Sequence, residues 1–376
     1  MSLPREDVDP NGLQEFSVVF TDRAVNHMSQ KFVDGMQEFY GLLRDTYNAD
    51  AAVVVPGSGS FGMESVARQF MEGQPTLVVR DGFFSYRWSQ IIEMGKLTDH
   101  EVVSAVATDD SATPGFAPPA VDQVIDAIKK QGSKVVAAAH VETASGIVLT
   151  DEYIKALADA VHEQGGLFVL DCIASGALWV DMKELGVDVL ISAPQKGWSG
   201  WPGMGYVMLN ERALARLEET ESSSFSMDLK KWHTVSETYR AGKHMYHATM
   251  PTDAMLHNLD VMREAKERGL DKIMRQQIEL GERVRVGLAE RGYKSVAAEG
   301  WEAPSVVVVY TDDPQEQSGA KFKAGDLQVA SGVPLQVGEP EGFSTFRVGL
   351  FGLDKWDDVE GTVQRLFDGI DKARKA

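Results

Sequence analysis

Short, unbroken apolar runs separated by amphipathic stretches fill the first two-thirds of the chain. Runs at residues 51–56 (AAVVVP), 76–80 (TLVVR), 102–106 (VVSAV), 134–139 (KVVAAA), 167–171 (LFVLD), 187–192 (VDVLIS) and 206–209 (YVML) predict seven buried strands. Their apolar residues are consecutive rather than alternating, as in strands of a mostly parallel sheet covered by helices on both faces. Between the runs the period becomes helical. In residues 151–164, Ile154, Leu157, Ala158 and Val161 fall at i, i+3, i+4 and i+7 and share one face. A further helix is predicted over residues 29–47. This alternation specifies an α/β architecture: a large domain with a mostly parallel seven-stranded sheet covered by helices. Ligands of such sheets bind beyond the carboxyl ends of the strands.

The pattern changes near residues 246–253 (YHATMPTD). A charged, Met-rich helical region is predicted from about 254 to 291, followed by strand-like runs at 305–310 (SVVVVY) and 346–349 and a closing helix from about 354 to 372. The expected organisation is an N-terminal arm (1–20), a large domain (21–252) and a smaller C-terminal α+β domain (253–376). The 376 residues are 43% hydrophobic and 25% charged, enough for a large core without cross-links. With 37 basic against 56 acidic side chains the formal charge is −19, which argues against non-specific binding to nucleic acid or anionic membranes. One cysteine, Cys172, excludes an intrachain disulfide framework, and no Cys/His spacing suits zinc. The polar, acidic opening lacks the apolar stretch of a secretory signal, and no run reaches the roughly 18 apolar residues of a membrane span. The cytoplasm is the expected compartment.

Three features carry candidate chemistry. Gly57-Ser58-Gly59-Ser60-Phe61-Gly62 follows the first strand and opens a helical pattern. It satisfies G-x-G-x-x-G, with Asp81 placed where a ribose-binding acid would stand, so a dinucleotide site is one reading. The underlying physics is broader, because exposed N–H groups at a helix N-terminus bind any phosphate; a bare strand-to-helix turn is the plain alternative. Asp171 ends the run LFVL, where ligands bind, although an acid there is also a common helix N-cap. Lys196 follows VDVLIS into a Gly/Pro/Trp-rich stretch; desolvated there, its amine becomes a nucleophile towards aldehydes, whereas an ordinary loop lysine is solvated. Together, a phosphate turn, a strand-end carboxylate and a strand-end lysine fit pyridoxal 5′-phosphate. The lysine takes the aldehyde as a Schiff base, and the carboxylate keeps the ring nitrogen protonated.

The chain resembles the class V, fold-type I aminotransferases, nearest to the alanine–glyoxylate and serine–pyruvate aminotransferase branch. The matching stretches are GSGSFGME (57–64), DGFFSYR (81–87), HVETASG (140–146), LDCIAS (170–175), QKG (195–197), YHATMP (246–251) and FRVGLFG (346–352), in family order. The resemblance implies that Ser58, Gly59 and Ser60 hold the cofactor phosphate with Gln195 nearby, and that Phe84 stacks on the ring. It further implies that Thr143 bonds near the phenolic oxygen, that Asp171 pairs with the ring nitrogen and that Lys196 carries the Schiff base. Tyr246 and Thr249 match residues that reach the phosphate of a neighbouring subunit, which implies a homodimer with shared active sites. Arg347 matches the arginine that clamps the substrate carboxylate. The expected activity is transfer of an amino group from a small amino acid to a 2-oxo acid such as glyoxylate or pyruvate, by ping-pong exchange.

The resemblance has a gap. Family members enter the pocket with a Gly-Pro-containing segment, whereas residues 16–32 here read FSVVFTDRAVNHMSQKF; Arg23 or His27 is the candidate there for a second polar group of the donor. A nicotinamide-dependent oxidoreductase using the Gly57 turn, a lyase of the same fold and a catalytically silent binding protein remain the alternatives. A cysteine desulfurase needs a thiol on a mobile loop, and Cys172 adjoins a strand end instead.

Overall fold

The computed structural model describes residues 8–375. Seven strands form the main sheet: β1 (Ala51–Pro56), β2 (Thr76–Arg80), β3 (His100–Ser104), β4 (Val135–Ala139), β5 (Leu167–Asp171), β6 (Val189–Ser192) and β7 (Met204–Leu209). Their spatial order is β1-β7-β6-β5-β4-β2-β3. β7 pairs antiparallel with both β1 and β6, and every other pairing is parallel, so only β7 runs against the rest.

Helices pack on both faces, among them α1 (Gln30–Tyr47), α2 (Gly59–Phe70), α3 (Phe83–Gly95), α4 (Val121–Gln131) and α5 (Asp151–Glu163). α1 starts where the Ser29 hydroxyl accepts the Phe32 N–H. It buries Phe32, Met36, Phe39, Tyr40, Leu43 and Tyr47, the stripe its periodicity demands. Ile154, Leu157, Ala158 and Val161 are all buried on α5.

Strand β3 lies two residues earlier than expected. His100 and Glu101 pair with Thr76 and Leu77, and these polar side chains are tolerated because β3 is the sheet edge and only half-buried. Val106 instead joins a short ribbon with Ala117.

Beyond the sheet run α6 (Thr252–Arg268) and α7 (Leu270–Glu290), two helices where the sequence predicts one; the chain turns at Gly269. Strands β8 (Val306–Tyr310), β9 (Ala330–Ser331) and β10 (Thr345–Gly349) form an antiparallel sheet with β10 central. The closing helix is interrupted at Asp358, between a short turn at Leu353–Asp357 and α8 (Val359–Lys375).

One apolar core surrounds the main sheet, and a second lies among α7, α8 and the small sheet. A third lies between the main and the small sheet; it includes Ala174, Val306 and Val308, with Phe84 and Phe351 packed against it. Helix α6 contributes Met255, Leu259 and Met262 to the first core and Ala265 to the second. Residues 8–20 of the expected arm contain neither helix nor strand, and residues 1–7 lie outside the described chain. No helix among the described residues is long and apolar enough to cross a membrane.

Candidate active site

Five carboxyl-terminal strand ends deliver the site. β1 leads through Gly57 to Ser58, the N-cap of α2, in extended backbone with its hydroxyl making no capping bond. The first N–H groups of α2 and the Ser58 hydroxyl thus keep donors at the positive end of the helix dipole. The approach is close because Gly205 on β7 has no side chain: a Cβ there would lie 2.8 Å from the Ser58 carbonyl oxygen. Ser60, in the first turn of the helix, accepts a hydrogen bond from Arg87 Nη1 at 2.8 Å.

β2 leads into α3, which carries Phe84 and, one helical turn on, Arg87, whose guanidinium stands 5.0 Å from the Phe84 ring centroid. The wall is fixed by Glu142, beyond β4. This fully buried carboxylate accepts the N–H groups of Phe84 (3.2 Å), Ser85 (2.8 Å) and Ala144 (2.9 Å) and the Ser85 hydroxyl (2.8 Å). It thereby ties Phe84 to the segment bearing Thr143.

Asp171 ends β5. It caps no helix; its Oδ1 accepts the Ile173 N–H at 2.9 Å in a local turn. Burial pushes its carboxyl up to about 7, with the Ile173 bond and the charges of Arg87 and Lys196 opposing and Glu142 reinforcing. Behind it, His140 Nδ1 lies 2.8 Å from Ser175 Oγ, and burial lowers that imidazole to about 4. Cys172 is buried and its thiol is pushed up by desolvation, so it is an inert core thiol.

Lys196 sits in the turn after β6. Burial lowers its amine, Arg347 and Arg87 lower it further, and Asp171 acts in the opposite direction. The turn is anchored on both sides by one phenol: Tyr47 donates to Ser192 Oγ and accepts from Trp198 Nε1, each at 3.2 Å. Gly197 packs directly on the Gly176 carbonyl, leaving no room for a Cβ. Gln277 of α7 holds the facing loop, accepting the Ala177 N–H at 2.9 Å and donating to the Ser175 carbonyl at 3.3 Å.

Ser58, Gly59, Ser60, Phe84, Thr143, Asp171, Gln195 and Lys196 converge on one cavity of about 190 Å³, with Arg87 in the same wall. Arg347 stands beside this lining on β10, its guanidinium 5.5 Å from the Phe84 ring and its Nε bonded to the Ser331 carbonyl. Tyr246 and Thr249 lie away from this cavity, their hydroxyls 3.2 Å apart and the Tyr246 ring exposed. His27 is buried beside Phe20, His244 and Tyr246, whereas Arg23 is exposed.

Asp81, the acid of the dinucleotide reading, is fully buried, has no hydrogen-bond partner on either carboxylate oxygen and is outside the cavity lining. It is unavailable to a ribose. Arg87 and Glu142 escaped the sequence reading; the i, i+3 spacing of Phe84 and Arg87 was a usable signal for the first.

A buried lysine and a strand-end carboxylate line one cavity beside a helix start, and the fold around them is that of the fold-type I transferases. The chain belongs to the aminotransferase class-V family, whose model matches residues 14–330, and it is a transaminase. It is similar to the 2-aminoethylphosphonate–pyruvate transaminase of Aeromonas hydrophila, with 26% identity over 311 residues covering 81% of this chain and 77% of that protein. Its fold matches the alanine–glyoxylate aminotransferase of Nostoc sp. (TM-score 0.78, 20% identity, 93% and 89% of the two chains). It also matches the aspartate aminotransferase of Thermus thermophilus (TM-score 0.76, 23% identity, 93% of each chain).

Proposed function

We propose that the protein is a pyridoxal 5′-phosphate-dependent aminotransferase that moves an amino group from a small amino compound to a 2-oxo acid such as glyoxylate or pyruvate. The observation that carries this reading is the convergence of Lys196, Asp171 and the Ser58–Gly59–Ser60 turn on one cavity. The donor set suits the cofactor: an uncapped helix start for its phosphate, Phe84 as a flat wall, and a buried carboxyl whose high proton affinity disappears once a cation pairs with it. When bound, this cofactor supplies an aldehyde that captures the amino group and a ring that accepts the electron pair released at the substrate Cα.

The chain's residues then divide the work. Lys196, whose amine burial and neighbouring guanidinium charge push below the ordinary lysine value, would hold the cofactor's aldehyde carbon and would carry the proton to and from the substrate Cα. Asp171 would pair with the protonated ring nitrogen. Thr143 and Gln195 orient the cofactor from the cavity wall, and Arg347 binds the substrate carboxylate in a two-pronged contact. Tyr246 and Thr249, turned outward, serve the phosphate of a second copy, so the reading includes a homodimer; a cytoplasmic site of action goes with it. Alanine, serine, aspartate and small aminophosphonates are the candidate donors, and the relatives named above carry the names of aminoethylphosphonate, alanine and aspartate transaminases.

The test is the visible spectrum of purified protein loaded with the cofactor. The solution is expected to be yellow, to bleach with a competent donor and to regain colour with pyruvate or glyoxylate. Lys196→Ala is expected to lower turnover by about 10²–10⁴-fold or more and to abolish borohydride fixation of the cofactor. Full turnover by that variant, without added amine, removes the reading.

A further inference from the structure

The corner after β10 carries an aromatic residue with no role in the mechanism so far. Phe351, half-buried, places its ring centroid 5.0 Å from the Lys196 amine. It packs on the third core together with Phe83 and Phe84. It also lies four residues after Arg347, so the carboxylate anchor and this ring come from one short segment.

That segment is clasped to the lysine turn. Ser199 donates its N–H to the Lys196 carbonyl at 3.1 Å, and its hydroxyl accepts the Leu353 N–H at 2.9 Å. It does so with φ of 58°, an unfavourable conformation for a residue with a Cβ. Lys355 Nζ adds a bond to the Phe351 carbonyl at 2.9 Å. The backbone that carries the ring is therefore tied to the lysine turn, next to but outside the lining of a cavity whose 190 Å³ lies below the roughly 300–1,000 Å³ of ordinary ligand pockets.

We propose that Phe351 is the specificity-determining residue of the site: its ring fills the space beside the Lys196 amine that a larger donor side chain would need. The enzyme accordingly takes amino donors with short substituents and rejects branched and aromatic ones. Arg347 fixes the carboxylate, and Phe351, at a set distance along the same segment, limits what extends from the Cα. The proposal rests on the reading of Lys196 as the residue at which amino donors react.

The test uses Phe351→Ala and the milder truncation Phe351→Leu in the cofactor-loaded enzyme, with kcat/KM measured for alanine and phenylalanine as donors. The phenylalanine-to-alanine ratio is expected to rise about 10-fold or more in Phe351→Ala and by less in Phe351→Leu. An unchanged ratio in both overturns the proposal. A second readout needs no cofactor: the pH midpoint for acylation of Lys196 in the apo-protein, followed by peptide mass spectrometry. A ring facing an ammonium favours its charged form, as Asp171 does, against Arg347, Arg87 and burial. Phe351→Leu is therefore expected to lower that midpoint by about half a pH unit, and Ser199→Ala to lower it less. An unmoved midpoint in Phe351→Leu overturns the placement of the ring. A wild-type protein that takes up no pyridoxal phosphate refutes the functional reading instead, while the acylation midpoint still decides the position of Phe351.

Discussion

At the scale of single residues, two buried carboxyl groups behave alike and serve differently. Burial pushes Asp171 up to about 7 and Asp81 up to about 8, with the charge of Glu142 adding to the effect in both cases. Asp171 faces the cavity, where a cation restores its charge; the Asp81 carboxyl has no hydrogen-bond partner. A carboxyl whose folded value exceeds its unfolded one stabilises the fold fully below about pH 4. That contribution is lost as the pH rises through 7 to 8. The apo-protein is therefore expected to lose stability between about pH 4 and pH 8. Asp81→Asn, isosteric and uncharged, should remove part of that slope and exceed the wild type at pH 8 by about 1 kcal/mol or more, measured by urea unfolding across the pH range. If the two proteins show parallel pH dependence, Asp81 is ionised in both states.

At the scale of elements, the chemistry depends on two loops braced from outside. Tyr47 spans the ends of the turn bearing Lys196, and Gln277 fills the bend after Asp171. Gln277→Ala strands the Ala177 N–H and the Ser175 carbonyl in the interior and is expected to cost about 1–3 kcal/mol in urea unfolding. It should also weaken cofactor binding, read by equilibrium dialysis, because the Asp171 loop relaxes. Gly197→Ala, which drives a methyl into the Gly176 carbonyl, should be worse on both measures. Such braces mark the limit of what the chain discloses before it folds. The seven strands, Asp171, Lys196 and the Ser58 turn were legible because each follows from local order: an apolar run and the residue ending it. Glu142 meets Ser85 across 57 residues, and Gln277 meets Ala177 across 100; no periodicity encodes such pairings. The edge strand misled by its polarity, and the break at Gly269 lay inside two flanks that are each strongly helical.

At the scale of the whole molecule, exposed apolar side chains bear on assembly. Phe16, Val18, Trp201, Phe225 and Tyr246 are all solvent-accessible in the single chain, and large exposed aromatics commonly mark contact surfaces. A homodimer is the expected state by analytical ultracentrifugation. Thr249→Ala combined with Tyr246→Phe should weaken cofactor affinity by roughly 10-fold or more, as loss of two hydroxyl contacts implies, without changing the monomer fold by far-ultraviolet circular dichroism. A dimer whose affinity is untouched by this pair assigns the phosphate contact elsewhere. The interlock of Gln277, Gly176 and Gly197 reaches furthest: the amide that shapes the acid's loop is borne by α7, a hundred residues on, and the loop in turn seats the lysine's turn. Swapping C-terminal bodies among relatives to recruit new donors will therefore yield working hybrids only when this three-residue joint travels as a set.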